Sequence, residues 1–443
     1  MTHSENWLVQ SLTSRRELIV YVDFKSPYAY LAIEPTRELA AELGIQIDWR
    51  PLVLDIPSFL GSARLGRSGQ VVAQQRSAEQ WSGVKYAYFD CRRYANLRGL
   101  TVRGTVKIWD TNLAAVGMLW AKRQGDAVLD RYVDGIYEPF WKRELDVEDI
   151  AVIRQVLSQA GAQLSGFDDY AARQGLEDNQ ALQQAAFAAG IFGVPTYVVA
   201  GETYFGREHL PRVGWHLAGE PGPAPDIAYP VPADAAGTAH DMPPAALDVC
   251  IDFASPLSYL SLAPVLAFAE ETGAVLNWHA IAFSPIKPPL PAADEDRGAQ
   301  HRRLRAELRE RDIARYAPHP LRDIYPEFDC GFAIMGLLWL KGVAPQVVDD
   351  FVQGVFRRYW RDHERIDSLA AVAQVIAGLG QSPDAFRDFA ASAGAAEAAA
   401  AQQEVRARGV TGTPTILLDD EPYLGRQHLP LIKRRLLASS DRI

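Results

Sequence analysis

The chain has 443 residues, 48% of them hydrophobic and 23% charged, with a net charge of −10. That length leaves room for two or three domains with full cores, and that composition excludes a disordered or fibrous chain. The acidic balance gives a nucleic-acid partner no electrostatic support, and no apolar run nears the roughly 20 residues of a membrane span. Three cysteines without a CxxC pair cannot make a disulfide framework. The start, Met1-Thr2-His3-Ser4-Glu5-Asn6, shows no basic stretch before an apolar core, so no signal peptide is expected. A reducing cytoplasm is the expected compartment.

Residues 1–15 read as a loosely held arm. Leu18-Ile19-Val20-Tyr21-Val22 is an apolar, β-branched run that predicts a buried strand. Ser26-Pro27 then opens a helix, with serine as N-cap and proline in the first turn. Pro35 should kink that helix. Ile45-Gln46-Ile47-Asp48-Trp49 alternates as a second strand, and from about residue 57 to 190 the patterns are mainly helical, for example 113–122 and 147–160. Gly193 to Val199 returns to strand, Gly201-Glu202 turns, Thr203-Tyr204-Phe205 pairs back, and a last helix starts near Glu208. A stretch rich in Ala, Gly and Pro, 218–246, reads as an extended connector that buries little.

After the connector the pattern repeats. Asp23-Phe24-Lys25-Ser26-Pro27 returns as Asp252-Phe253-Ala254-Ser255-Pro256. Ser26/Ser255, Pro35/Pro264 and Trp49/Trp278 are 229 residues apart, whereas Trp120/Trp339, Trp141/Trp360, Pro195/Pro414 and Gly206/Gly425 are 219 apart. One unit is therefore duplicated, with a net ten-residue deletion in the second copy. Asp90/Asp312 and Arg93/Arg315 sit 222 apart, which places most of the deletion between Trp49 and Asp90. A period this long means two whole domains, since solenoid repeats run to roughly 20–50 residues. The boundaries read as 16–217 and 247–437, joined by 218–246. Each copy is β-α-β, a large all-α insertion, then β-β-α; in copy two the closing hairpin is Ile416-Leu417-Leu418, Asp419-Asp420, Pro422-Tyr423-Leu424.

Few residues carry chemistry. Ser26 and Ser255 stand where free backbone N–H groups and the helix dipole favour an anion; each is either a plain cap or a hydroxyl donor to a thiolate. Gly193-Val194-Pro195-Thr196 and Gly412-Thr413-Pro414-Thr415 precede strands, as turn prolines or, if cis, as a short backbone template for an extended peptide. Gly206-Arg207-Glu208-His209 and Gly425-Arg426-Gln427-His428 open a helix that could take a carboxylate, with Glu208 for an ammonium, or could simply be a solvated first turn. Lys85, Tyr86, Tyr88, Asp90, Arg93 and Tyr94 suit an aromatic carboxylate or a salt-bridged helix equally. Trp120, Trp141, Trp339 and Trp360 read as core. Cys91 has no matched base, and no metal-ligand spacing occurs.

DFxSPYxYLA, a long helical segment and GxFGVPTxVVxGExxFGxxxL together resemble the 2-hydroxychromene-2-carboxylate isomerase family, itself related to kappa-class glutathione transferases and DsbA oxidoreductases. The motifs bracket residues 17–215 and, less closely, 247–436. The resemblance implies two tandem thioredoxin-like α/β folds and reduced glutathione as cofactor. It also implies cis–trans isomerisation of an aromatic-degradation-like acid through a transient thiol adduct. By position, Ser26 (and Ser255) would act on the thiol, Val194 before a cis Pro195 would bind the tripeptide backbone, and Arg207 with Glu208 would hold its γ-glutamyl end. Thr413, Pro414 and Arg426 are their counterparts, and Tyr28, Lys85, Tyr86 and Asn112 fall on the substrate side. Lys25 stands where the family more often has an apolar residue and adds a cation beside the thiol. The kappa-class Asn-Lys-Pro-Pro contact is missing from copy one, and copy two has Lys287-Pro288-Pro289 without the Asn. Where the DsbA branch has CxxC this chain has Ser26-Pro27-Tyr28-Ala29, which argues against dithiol–disulfide exchange. Gln427 replaces the acidic residue in copy two, so copy one is the better candidate site. Glutathione conjugation and non-catalytic peptide binding are the alternatives. The partner is expected to be a small molecule, not nucleic acid or membrane, and the two copies are expected to pack as a pseudo-dimer that can still self-associate.

Overall fold

The computed structural model describes residues 8–60, 63–65, 71–74, 78–232, 245–283, 288 and 295–440. The chain divides into two compact units, Met1–Pro232 with Ala292–Arg305, and Ala233–Pro291 with Ala306–Ile443. Among the described residues no helix is long and apolar enough to cross a membrane.

In the first copy, β1 (Leu18–Val22), α1 (Pro27–Leu43) and β2 (Ile47–Pro51) form the opening β-α-β. There follow α2 (Ile56–Leu60), β3 (Ala63–Leu65), β4 (Val71–Gln74), α3 (Ala78–Leu97), α4 (Asn112–Lys122), α5 (Asp126–Trp141), α6 (Ile150–Gln159), α7 (Phe167–Ala172) and α8 (Gln174–Ala188). β5 (Thr196–Val199), β6 (Glu202–Phe205) and α9 (Leu210–Leu217) close it. The sheet order is β2-β1-β5-β6, with β1 parallel to β2 and antiparallel to β5. The second copy runs β7 (Ala246–Ile251), α10 (Pro256–Thr272), β8 (Val275–Ala280), α11 (Arg297–Tyr316), α12 (Gly331–Val343), α13 (Val348–Phe356), α14 (Leu369–Gly378), α15 (Pro383–Ala391), α16 (Gly394–Ala407), β9 (Thr415–Leu418), β10 (Glu421–Leu424) and α17 (Leu429–Ser440). Its sheet, β10-β9-β7-β8, has the same connectivity.

Local chemistry fixes the elements that position the site. The Ser26 hydroxyl accepts from Ala29 N–H at 3.2 Å, Pro27 fills the first turn, and Gly44 ends α1 in the left-handed region. Ser255, Pro256 and Gly273 repeat this on α10. Both hairpins turn on two residues of positive φ, Ala200-Gly201 and Asp419-Asp420, the geometry that matches strand twist. The fully buried Trp141 and Trp360 lie in the helical cores, while Lys122 and Lys341 donate to the Trp49 and Trp278 carbonyls, tying helical segment to sheet in both copies.

Several expectations need correcting. The first insertion is not all helical, because β3 and β4 pair as an antiparallel ribbon. Trp120 and Trp339 are half-buried rather than core. The arm is tied from residue 8 on: buried Arg50 donates to the Gln10 carbonyl at 2.6 Å and to Thr13 at 2.9 Å, while the Tyr21 hydroxyl donates to Ser11 O at 2.9 Å. The connector also packs through its first half. Ala228 N–H donates to Glu208 O, Arg212 Nε donates to Pro225 O, and Tyr229 is buried. Residues 233–244 of the connector, and Lys287 and Pro289, lie outside the described residues.

Candidate active site

The chain reaches the N-terminus of α1 through a loop that one carboxylate organises. Asp23, 3% exposed, accepts from Thr111 Oγ1 at 2.7 Å, Leu54 N–H at 2.8 Å and Lys25 N–H at 3.2 Å. The buried Lys25 ammonium stands 3.6 Å from it. The cation expected to act on a thiolate is therefore shared with Asp23. Beside it Ser26 is also buried. Because its oxygen already accepts from Ala29, its own proton is left to donate.

Ser26 and Lys25 line a cavity of about 540 Å³ in the first unit. Val194 lines it too, and its backbone N–H and C=O take part in no hydrogen bond among the described residues. Five cations reach the walls: Lys25, Lys85, Arg92, Lys107 and Arg305. Lys107 is paired with Glu148 at 2.6 Å and lies over the Trp109 ring. Among the described residues no Asp or Glu lines the cavity. Six aromatic rings do: Tyr28, Trp81, Tyr88, Trp109, Phe192 and Phe205. The Val194-Pro195 and Thr413-Pro414 bonds are cis.

Helix α3 divides the predicted aromatic–cationic cluster between two faces. Trp81, Lys85, Tyr88 and Arg92 recur every three or four residues and face the cavity. Asp90 and Tyr94 are buried, and Tyr94 packs edge-on to Tyr229 at 5.0 Å. Tyr86 is half-buried and is not among the cavity walls.

Besides Tyr86, the predicted residues Pro195, Arg207, Glu208 and Asn112 are not among the cavity walls. Arg207 is 2% exposed, and its Nη1 and Nη2 make no hydrogen bond among the described residues. Its guanidinium lies instead over Tyr229 (3.9 Å), Tyr94 (4.6 Å) and Tyr28 (5.5 Å), so a connector residue covers it. Glu208 folds back over Gly206, where a Cβ would meet its carboxylate at 2.3 Å. Asn112 spends its amide on Asp110 and accepts from Asn179 Nδ2 at 2.9 Å.

The description "DSBA-like thioredoxin domain" matches residues 17–218 and again 246–437. This chain belongs to the DSBA-like thioredoxin domain family. Each copy is such a domain, a thioredoxin-like α/β fold with a helical insertion. Among curated relatives, a 2-hydroxychromene-2-carboxylate isomerase of Sphingobium xenophagum is 26% identical over 43% of this chain and 92% of its own length. One of Pseudomonas sp. (strain C18) is 28% identical over 42% of this chain and 88% of its own. A solved structure, the cytosolic disulfide reductase DsbM from Pseudomonas aeruginosa with GSH, is 20% identical over 45% of this chain and 100% of its own, with a TM-score of 0.33.

The second DSBA-like domain keeps the frame with different substituents. Ser255 caps α10, accepting from Ser258 N–H at 3.3 Å, but Ala254 stands in place of Lys25. Asp252 accepts from Ala254 N–H, Phe283 N–H and the Cys330 thiol, and burial pushes its pKa up. Arg426 is buried with Tyr316 beside it at 5.7 Å. By the repeat offsets the α3 wall Trp81, Lys85, Tyr88 and Arg92 corresponds to Arg303, Glu307, Glu310 and Ala314, so its two cations and two aromatic rings are not kept at those positions.

All three cysteines are free and buried, and burial raises the pKa of each. No group of three or more His, Cys, Asp or Glu among the described residues is placed to hold a metal ion. Sequence reasoning missed Arg92, Lys107, Trp109, His301 and Arg305 as walls. The helical spacing Trp81-Lys85-Tyr88-Arg92 could have revealed the first of these.

Proposed function

We propose that the first domain is a glutathione-dependent cis–trans isomerase of the 2-hydroxychromene-2-carboxylate isomerase type, acting on an aromatic-derived conjugated acid. The observation that carries this reading is the placement of Ser26, at a helix N-terminus, on the wall of a cavity with five cations, six aromatic rings and no described carboxylate. Such walls favour a flat anion over a neutral or basic ligand, even though the protein is acidic overall. The two curated relatives, both 2-hydroxychromene-2-carboxylate isomerases, support the same reading.

The residues present fit glutathione in part. Ser26 and the helix N-terminus suit its sulfur, and the unused Val194 backbone suits its peptide. Arg207 and Glu208 do not suit its γ-glutamyl end while Tyr229 covers the arginine. When bound, glutathione supplies a nucleophilic thiol, whose addition to and loss from a conjugated double bond permits rotation. The Ser26 hydroxyl donates toward that sulfur and the dipole of α1 favours negative charge there, so both lower the pKa of a thiol held at this point. The cationic walls hold the acid close, converting a bimolecular encounter into an oriented one. Buried thiols and the absence of CxxC support the reading that dithiol exchange is not the chemistry here.

The test measures glutathione binding by calorimetry and isomerisation of a conjugated 2-hydroxy aromatic enone acid by absorbance, with and without glutathione. Ser26→Ala should lose both and Ser255→Ala neither. Free thiol counted across turnover separates isomerisation, which returns it, from conjugation, which consumes it. Wild-type turnover that is indifferent to thiol would overturn the proposal.

A further inference from the structure

By sequence, residues 292–305 belong to the second repeat, yet they are part of the first compact unit. The first turns of α11 are fitted to the site-bearing loops. The Arg297 guanidinium lies 3.9 Å over the Phe187 ring, and its Nε is 3.9 Å from Asp55 Oδ2. One turn on, His301 is 8% exposed and meets the Phe192 ring nearly perpendicularly at 5.0 Å. A further turn on comes Arg305, and both His301 and Arg305 line the cavity that holds Ser26. Positions 297, 301 and 305 fall four apart, on one helical face. At the 222-residue offset of Asp90 and Asp312, the first copy has Glu79 and Gly83 where the second has His301 and Arg305. The imidazole and guanidinium are thus particular to the second repeat.

We propose that the His301–Arg305 turn is the specificity wall of the first domain's site: Arg305 pairs with the carboxylate of an aromatic acid, and His301 hydrogen-bonds a hydroxyl or carbonyl on the same ligand. This deepens the functional reading above and rests on it for the ligand class. A cavity built from one repeat alone would keep Ser26, Val194 and the α3 face but lose a guanidinium and an imidazole. The second repeat then has a use that does not require its own Ser255 to work. Arg305 suits the role because a planar guanidinium matches a carboxylate in two-point geometry, which an ammonium does not.

The test uses the full chain and the fluorescent probe 3-hydroxy-2-naphthoate, titrated calorimetrically without glutathione, beside the uncharged 2-naphthol. Arg305→Gln should weaken naphthoate binding tenfold or more and leave 2-naphthol binding unchanged. His301→Asn should weaken naphthoate at least threefold. Arg305→Lys, a conservative check on folding, should recover part of the loss. Separate titrations with glutathione should give wild-type affinity in every variant. Naphthoate affinity unchanged in both Arg305→Gln and His301→Asn, or equal losses for naphthoate and naphthol, overturns the proposal. Absence of glutathione binding in the wild type, with the naphthoate losses intact, sinks the thiol-dependent function and leaves this wall standing.

Discussion

Replacing Asp23 by Ala tests the frame on which Ser26 is mounted. The change removes a carboxylate whose partners come from three segments: the Thr111 hydroxyl at 2.7 Å, Leu54 N–H at 2.8 Å and Lys25, by N–H at 3.2 Å and ammonium at 3.6 Å. Hydrogen bonds to a charged group contribute about 1.5–3 kcal/mol each, without simple additivity. Breaking a buried ion pair from one side costs about 3–5 kcal/mol, because the other charge stays buried. The Lys25 and Asp23 side chains are 6% and 1% exposed, so the full penalty applies and about 3–5 kcal/mol is expected. For a domain of this size that is a Tm loss of roughly 6–20 °C, read by scanning calorimetry. Asp252→Asn is the control. Its carboxylate has no cation within ion-pair distance among the described residues, and burial raises its pKa. The native state there holds a proton more tightly than the unfolded chain does, so neutralising it should change stability by no more than about 1 kcal/mol. A loss under about 2 °C for Asp23→Ala, or equal losses for the two variants, would refute the claim that the Asp23–Lys25 pair organises this loop.

Three further outcomes follow from named contacts. Gly206→Ala should cost about 1–3 kcal/mol in urea denaturation, since φ is +113° and a Cβ would meet Glu208 at 2.3 Å. Gly44→Ala, at φ +67° with open space around it, should cost less. Burial, followed by Arg305, Arg297 and Arg302 against Asp55, lowers the His301 pKa to about 4. Between that value and 6.5 the unfolded chain binds the extra proton, so stability should fall as pH drops through this window, by at most about 3 kcal/mol, and His301→Asn should flatten the slope of denaturation midpoint against pH. Iodoacetamide should modify none of Cys91, Cys250 and Cys330 in the native protein within hours and all three in denaturant, because burial raises each thiol pKa, that of Cys250 to about 12.

The duplication, the order of strands and the caps were legible because they rest on local chemistry and constant offsets. Ser26-Pro27 and Ser255-Pro256 read correctly as helix starts since the capping hydroxyl and the proline act within one turn. The ribbon β3–β4 was not legible, because a short pair inside a helical region carries no period-2 run long enough to register. Arg207 looked like a free cation at a helix start. Only tertiary structure brings Tyr229 from the connector onto it, and composition had marked that connector as burying little. His301 and Arg305 were invisible for a similar reason. A repeat boundary drawn from sequence assigns them to the second domain, whereas the chain folds them into the first unit.

The two copies show how one frame supports unequal chemistry. At corresponding positions the first has Lys25, Tyr28, Thr111 and Glu208 and the second has Ala254, Leu257, Cys330 and Gln427. The capping serine and the buried aspartate survive in both, because losing either leaves backbone N–H groups without partners. What differs is the charge around them. In the first copy a hydroxyl and an ammonium meet the Asp23 carboxylate. In the second a thiol and backbone amides meet Asp252, and desolvation dominates. A helix terminus alone offers an anion about 0.3–1 kcal/mol, less than the 1.36 kcal/mol of one pKa unit. Ser255, with Ala254 where the first copy has Lys25, therefore has the cap without that neighbouring ammonium. Ser26 has the cap together with Lys25, itself shared with Asp23, and four more cations line its cavity.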